Sequence, residues 1–177
     1  DLTSVLYAAL PAVANKTVVF SAAGNDNKNY FFSKDGVTYD AKKYYQSSLK
    51  MTQGAHLAAL TANYTAQDGD VLTGTLGANV KISIAAGATV TLRDVNINEN
   101  GTWTSGNYAG ITCEGDATII LEGTNIVKGF YKDYPGVQAG PTNTTLTIQG
   151  SGTLNAIGGS GGAAGIGSGK KASCGNI

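Results

Sequence analysis

The segment GITCEGDATIILEGTNI (residues 110–126) consists of short β-branched runs separated by glycine and acidic residues. Two other segments align with it, KISIAAGATVTLRDVNI (81–97) and GVQAGPTNTTLTIQGSGTL (136–154), and a fourth copy begins at GIGSGKKASCGNI (165–177). Self-similarity at a nearly fixed spacing is typical of repeat architectures. The opening segment is therefore predicted to be one structural repeat and not a catalytic loop.

The alignment places apolar residues at equivalent positions in successive copies. These sets are Val90, Ile119 and Leu146; Leu92, Leu121 and Ile148; and Ile97, Ile126 and Leu154. Apolar residues alternate within each copy, as in a short strand with one buried face, and Gly, Asn and Asp allow sharp corners between strands. Such a repeat fits one coil of a right-handed parallel β-helix, in which stacked coils form a continuous core.

An antiparallel sandwich is the alternative for this repeat region. The matching phase of the copies favours the parallel β-helix, because consecutive hairpins need not repeat in phase. In the β-helix, the extra residues NENGTWTSGNYA (98–109) and KGFYKDYP (128–135) leave the coils as loops on one side. Both fold hypotheses are all-β.

Residues before Gly54 show no trace of the repeat. KTVVFSAA (16–23) and NYFFSKDGVTYDAKKYYQSSLKMT (29–52) are typical of antiparallel strands, and Asp35-Gly36 indicates a hairpin turn. We therefore expect three parts: an antiparallel segment (1–53), a connector (54–68) that includes a short helix or turn, and a parallel β-helix (69–177). The β-helix is expected to be incomplete at its C-terminal end.

Composition argues against several classes of partner. Charged residues make up 14% of the chain and balance to zero, with no cluster of Lys and Arg of the kind that binds nucleic acid. No apolar run approaches the ~20 residues that span a bilayer, so membrane attachment is expected only through an anchor outside this chain. Cys113 and Cys174 have no metal-ligand spacing and occupy different repeat positions, so we expect neither a disulfide nor a metal site.

Several motifs are candidates for catalytic or cofactor sites. GIGSGKK (165–171) lacks the residues of a phosphate-binding loop, and His56 has no triad-like companions in the sequence. Asp94 and Glu122 follow aligned leucines, so stacked coils would bring the two carboxylates together as in a glycosidase. Solvated turn residues are the more frequent role for such side chains. No catalytic residue and no cofactor is predicted.

Aromatic residues supply the candidate ligand site. Trp103, Tyr108, Tyr131 and Tyr134 lie in successive inter-strand loops, and stacking of coils would bring them to one side. Aromatic faces beside polar groups suit sugar rings, which have an apolar C–H face and hydroxyls that need partners. The alternative is structural: Phe130 and Tyr134 would cover the side of the repeats against the N-terminal strands.

Several stretches carry a family resemblance. TYDAKKYYQSSLKMT (38–52) resembles the closing strands of fimbrillin-like surface proteins of gut and oral Bacteroidales, and YTAQDGDVLTGTL (64–76), AGITCEGDATIILEGTN (109–125), VKGFYKDYPGV (127–137) and SCGNI (173–177) are similar to β-helical segments attached to such domains. The resemblance covers most of residues 30–177. It implies a secreted or outer-membrane-anchored surface protein that acts as an adhesin or fimbrial component, and it brings no catalytic residues. Because both ends depart from the family pattern, we expect a fragment or a partner subunit that completes the ends.

Three functions follow as hypotheses. The leading one is a non-enzymatic adhesion or fimbria-associated structural module that binds glycans or host or bacterial surface proteins. The second is a β-helical carbohydrate-active enzyme, a lyase or a hydrolase. The third is a structural spacer without a ligand. A cleft with two facing carboxylates would favour the enzyme, whereas loops that decorate a smooth surface would favour the adhesion module.

Overall fold

The structure is a computed structural model that describes residues 11–43, 45, 48–101, 105–169 and 171–177. Within these residues the regular elements are β-strands and one turn of 3-10 helix, Leu57–Ala59, so the predicted all-β class is confirmed. The strands are β1 (Val13–Ala23), β2 (Asn29–Tyr39), β3 (Thr52–His56), β4 (Tyr64–Ala66), β5 (Val71–Thr75), β6 (Ile82–Ile84), β7 (Ala88–Ile97), β8 (Ile111–Cys113), β9 (Ala117–Glu122), β10 (Thr124–Lys128), β11 (Val137–Gln138), β12 (Leu146–Gly150), β13 (Thr153–Ile157) and β14 (Ile166–Gly167).

Strands β1 and β2 form an antiparallel hairpin, but its turn is not at Asp35-Gly36, where we predicted one. The turn spans residues 24–28 and is closed by a hydrogen bond from the Gly24 N–H to the Lys28 carbonyl at 2.7 Å. Asp35 and Gly36 lie inside β2 opposite Thr17, at a register shift between the two strands. Gly36 has a φ of +65°, so the Asp-Gly pair makes a β-bulge there in place of a turn.

Strand β3 joins the antiparallel and parallel parts of the chain. It pairs antiparallel with β2 through Tyr30↔Gln53 and Phe31↔Thr52. On its other side it pairs parallel with β5, beginning at Gly54↔Val71. Parallel pairing thus begins inside the segment that we expected to be a connector.

The larger sheet continues from β3 through β5 and β7, and β7 then has two parallel partners. Its first half pairs with β9, which pairs with β12, and its second half pairs with β10, which pairs with β13. The two halves diverge at Asp94, which has a φ of +50°, and Gly123, with a φ of +63°, separates β9 from β10 at the equivalent corner. A residue in the left-handed region turns the strand sharply, so these positions form a corner.

At the positions of Val90 and Leu92, the predicted register is correct in one step of the repeat and wrong in the next. Val90 pairs with Ile119 and Leu92 with Leu121, as the alignment indicated. In the following step Ile119 pairs with Ile148, and Leu146 pairs with Ala117. At the second face the alignment is wrong by one residue, because the pairs are Ile97↔Val127 and Asn125↔Leu154. The alignment fails there because it matches apolar residues by their sequence spacing, whereas the register is set by the backbone pairing of neighbouring strands.

The smaller sheet is parallel throughout, in the order β14-β11-β8-β6-β4. The inward-facing residues of both sheets form one apolar core, in which equivalent side chains lie on neighbouring strands. Fully buried members include Leu72, Ile82, Ile84, Val90, Leu92, Ile97, Ile111, Ile119, Val127 and Val137. Stacked strands therefore bury apolar side chains that none of them could bury alone.

Two buried polar side chains tie successive strands together. Asn125 is fully buried; its Oδ1 accepts from the Val95 N–H at 3.0 Å, and its Nδ2 donates to the carbonyls of Glu122 and Thr153. Asp70, 1% exposed, accepts from the Tyr64 hydroxyl at 2.7 Å and from the Gln53 amide. Burial and this hydrogen bond raise the pKa of Tyr64.

Candidate functional site

Four loops lie on the same side of the parallel strands, because each connects the C-terminal end of a strand in the larger sheet to a strand of the smaller sheet. We call them together the loop stack; they are residues 76–81, 98–110, 129–136 and 158–165. The structure describes all of them except residues 102–104. All four predicted ligand residues belong to the loop stack, but Trp103 lies outside the described residues.

Tyr108 connects three loops of the stack. Its hydroxyl donates a hydrogen bond to Oδ1 of Asn79 at 2.5 Å in the preceding loop. Its ring packs on Phe130 in the following loop, with ring centroids 4.7 Å apart, and its carbonyl accepts from the Phe130 N–H at 3.3 Å. Partial burial raises the pKa of Tyr108. These contacts give Tyr108 a structural role and leave it only partly accessible.

Tyr131 and Tyr134 occupy one tight turn of the third loop. The Tyr134 N–H donates to the Tyr131 carbonyl at 3.1 Å, and the Tyr134 carbonyl accepts from the Gly159 N–H of the next loop at 2.9 Å. Tyr131 is 38% exposed, and the Lys132 ammonium lies 5.6 Å from its ring centroid. The structure thus brings three of the four predicted residues onto adjoining loops. Of these three, Tyr131 is the most exposed.

Asp94 and Glu122, the two carboxylates considered for an acid–base pair, each accept a hydrogen bond from a neighbouring residue. Glu122 accepts from the Arg93 guanidinium at 2.6 Å across neighbouring strands. Oδ1 of Asp94 accepts from the Thr124 N–H at 3.0 Å, beside the Gly123 corner. Both side chains therefore contact neighbouring strands of the larger sheet.

A second region, which sequence reasoning did not identify, lies between the hairpin and the first parallel strands. We call it the hairpin cleft; it is open, has a volume of about 650 Å³, and its polar lining includes Thr17, Ser33, Asp35, His56, Thr75 and Asp94. No local sequence signal marks it, because its residues come from five strands that are distant in sequence.

His56 is the central side chain of the hairpin cleft and the sole histidine of the chain. Its ring contacts Phe31 edge-on at 6.2 Å between centroids. Its Nδ1 is buried and has no hydrogen-bond partner among the described residues. Burial lowers the pKa of His56, and the nearby Asp35 carboxylate opposes part of that effect. The imidazole is therefore neutral at physiological pH.

Cysteine and metal chemistry find no support in the described residues. Cys113 and Cys174 are both free, and burial raises the pKa of the Cys113 thiol to about 12, which disfavours the nucleophilic thiolate. In the part of the chain that the structure describes, no group of three or more His, Cys, Asp or Glu residues could hold a metal ion. The same residues include no helix that is long and apolar enough to cross a membrane.

Comparison with known proteins identifies no relative of the chain. No family model, no curated protein and no solved structure matches the chain.

Proposed function

We propose that the chain is a non-enzymatic cell-surface adhesion or fimbria-associated structural module that binds glycans through the loop stack. Residues 69–177 would be a short right-handed parallel β-helix, with residues 1–53 as a partial fimbrillin-like antiparallel segment and 54–68 as the connector. The family resemblance supports an extracellular or outer-membrane-anchored location. Partners would be glycans or surface proteins, with a further subunit completing the ends of the chain.

Parallel pairing supports the β-helix. Val90, Ile119 and Ile148 lie side by side on three successive strands of the larger sheet. Ile84 and Cys113 lie side by side in the smaller sheet, so the chain returns to both sheets once in each repeat. Positive-φ corners at Asp94 and Gly123 turn the chain between faces. A chain that alternates between two parallel sheets in this way traces successive coils.

The observation that carries the binding proposal is the direct contact between loops. Tyr108 packs on Phe130 of the next loop, and the Tyr134 carbonyl accepts a hydrogen bond from Gly159 of the loop after that. The stack is therefore a continuous ridge held by backbone and ring contacts. Tyr131 presents an accessible ring beside Lys132, which combines an apolar face with a hydrogen-bond donor. That combination suits a sugar ring.

A glycan array with the purified chain tests this proposal directly. Tyr131→Ala and Trp103→Ala are the loop variants, and Tyr134→Ala tests the partly exposed tyrosine in the same turn as Tyr131. Tyr45→Ala is the matched control, because Tyr45 is also an exposed tyrosine, 50% exposed, but lies outside the loop stack. Selective glycan binding that is lost in the loop variants and kept in Tyr45→Ala is the expected result. Binding to no glycan, or binding that all loop variants retain, would overturn the loop-stack site.

The enzyme and spacer hypotheses make different predictions in the same experiment. A β-helical lyase or hydrolase would shorten polysaccharides over time, and Glu122→Gln would stop this activity. The spacer would bind no glycan in any variant. The contacts of Glu122 with Arg93 and of Asp94 with Thr124 support a structural role for both carboxylates, so the adhesion module remains the function that the geometry supports best.

A further inference from the structure

The hairpin cleft arises because most of the β1–β2 hairpin is not paired with the rest of the sheet. Strand β2 pairs with β3 at only two residues, whereas β1 and β2 are eleven residues long. Thr17 of β1 and Ser33 of β2 line one wall of the cleft, while Thr73 and Thr75 of β5 line the other. The volume of about 650 Å³ lies within the ~300–1,000 Å³ range of small-ligand pockets.

The lining is rich in hydroxyl and carboxylate groups. Thr17 donates to Oδ1 of Asp35 at 2.6 Å, which orients that carboxylate at the cleft wall. Asp94 adds a second carboxylate to the lining. None of the described lining residues is a lysine or an arginine. Carboxylates accept hydrogen bonds from ligand hydroxyls and repel ligand anions, so a neutral ligand with many hydroxyls is the best match.

His56 and Gly74 shape the centre of the cleft. A Cβ on Gly74 would lie only 2.6 Å from Cε1 of the His56 ring, so glycine at this position lets the ring lie directly against the strand. Gly74 pairs with Val95 at the register shift beside Asp94. Small apolar residues, Ala58 and Ala59, complete this part of the wall. The site thus offers an apolar patch and a neutral ring among polar groups, as saccharide sites do.

We propose that the hairpin cleft binds a neutral saccharide, with Asp35 and Thr75 as hydrogen-bonding residues and His56 at the centre. Its lining shares no residue with the loop stack, so this proposal stands independently of the loop-stack site. The cleft is a second binding surface, which the antiparallel hairpin adds to the parallel strands.

The sole histidine makes the test specific to this site. The imidazole of the ¹⁵N-labelled full chain gives one set of ring NMR signals, which we would follow while adding maltose, lactose, cellobiose or N,N′-diacetylchitobiose. At least one of these neutral disaccharides is expected to shift the His56 signals in a saturable manner. Digalacturonate, which carries two carboxylates, is expected to leave them unchanged at the same concentrations because of charge repulsion with Asp35 and Asp94.

Variants separate the cleft from other sites. Asp35→Asn and Thr75→Val are expected to weaken the interaction about tenfold, since the first replaces a charged acceptor with a neutral amide and the second removes a hydroxyl. Thr65→Val is the matched control, because Thr65 is an exposed strand threonine of the smaller sheet, outside the cleft. Tyr131→Ala should leave the His56 response intact. Absence of a His56 shift with every neutral disaccharide, or equal shifts in Asp35→Asn, Thr75→Val and the unchanged chain, would overturn the cleft site whatever the glycan array shows.

Discussion

The hairpin and the parallel strands use similar β-rich sequences but are held together differently. In β1 and β2 only Phe31 and Val37 are buried, and most other side chains of the hairpin are exposed or partly exposed. In β7 the residues Val90, Leu92, Val95 and Ile97 are almost completely buried. The hairpin depends on pairing between two neighbouring strands, whereas an inner parallel strand such as β7 is paired on both sides. Stability should therefore be concentrated in the parallel strands and at the joint between the two regions.

Gly54 lies at that joint, and its substitution should have the largest effect. It has a φ of +119°, and an added Cβ would clash with the backbone of Val71 on the paired strand. Because neither backbone can move without breaking β3–β5 pairing, Gly54→Ala should destabilise the fold by about 3 kcal/mol or more. Urea unfolding followed by circular dichroism would measure this change.

Gly87→Ala is the matched control for Gly54→Ala. Gly87 has a φ of +79° and nothing within 4 Å of an added Cβ, so it reports the left-handed backbone alone. Its expected cost is about 1–2 kcal/mol. Equal costs for the two variants would mean that backbone contact at the joint contributes nothing, and the hairpin would then be joined less rigidly than the structure shows.

Leu92→Ala tests the stacked core directly. Leu92 is fully buried and pairs with Leu72 and Leu121 on both neighbouring strands, so truncation leaves a cavity in the core between these strands. The expected loss is about 3 kcal/mol. Phe20→Ala in the hairpin removes a larger side chain, yet it should cost only about 1 kcal/mol, because Phe20 is partly exposed and faces Phe32 across the strand pair with centroids 6.4 Å apart. A larger loss for Phe20→Ala in urea unfolding would reverse the comparison between the two regions.

These contrasts also show what the sequence could predict. Apolar alternation predicted the strands and the pairing of Val90 with Ile119, because burial of one strand face leaves a pattern in the letters. It failed at Leu146, since an apolar residue can occupy either of two inward positions two residues apart. The bulge at Asp35-Gly36 was predicted as a turn because the same residue pair serves both conformations. Local sequence does not distinguish them.

One candidate site could be predicted from the sequence and the other could not. The loops around Tyr108 and Tyr131 were predicted from repeat spacing, because insertions at equivalent repeat positions must lie on one side. The hairpin cleft was not predicted, because it depends on how β1 and β2 lie against β5, and no periodicity records that packing. His56 appeared as an isolated residue in the sequence, although the fold places Asp35 near it.

Asn125→Ala tests how much buried side-chain hydrogen bonds stabilise the parallel strands. Asn125 satisfies the Val95 N–H and the carbonyls of Glu122 and Thr153, so its loss leaves polar backbone groups of three strands without these partners. The expected destabilisation is about 2 kcal/mol. Asn155→Ala is the control, because Asn155 is an exposed asparagine on the outermost strand β13 and should change the free energy of unfolding by less than about 0.5 kcal/mol. A small effect at Asn125 would show that water replaces these bonds without cost.

His56 should produce the smallest effect, a pH dependence of stability that arises at the hairpin cleft. Burial lowers its pKa in the folded chain below the unfolded value of about 6.5, so the unfolded chain binds the proton more tightly. The contribution is fully present above that unfolded value and is lost as the pH falls from it toward the folded pKa. The urea midpoint of the unchanged chain should therefore fall between pH 7.5 and pH 5.0 by more than that of His56→Gln. Asp35 and Asp94, the carboxylates that line the cleft, are present in both proteins, so the difference isolates the imidazole. An equal fall in the two proteins would mean that the hairpin does not shield His56 from water, and the two regions would then pack less closely than the structure shows.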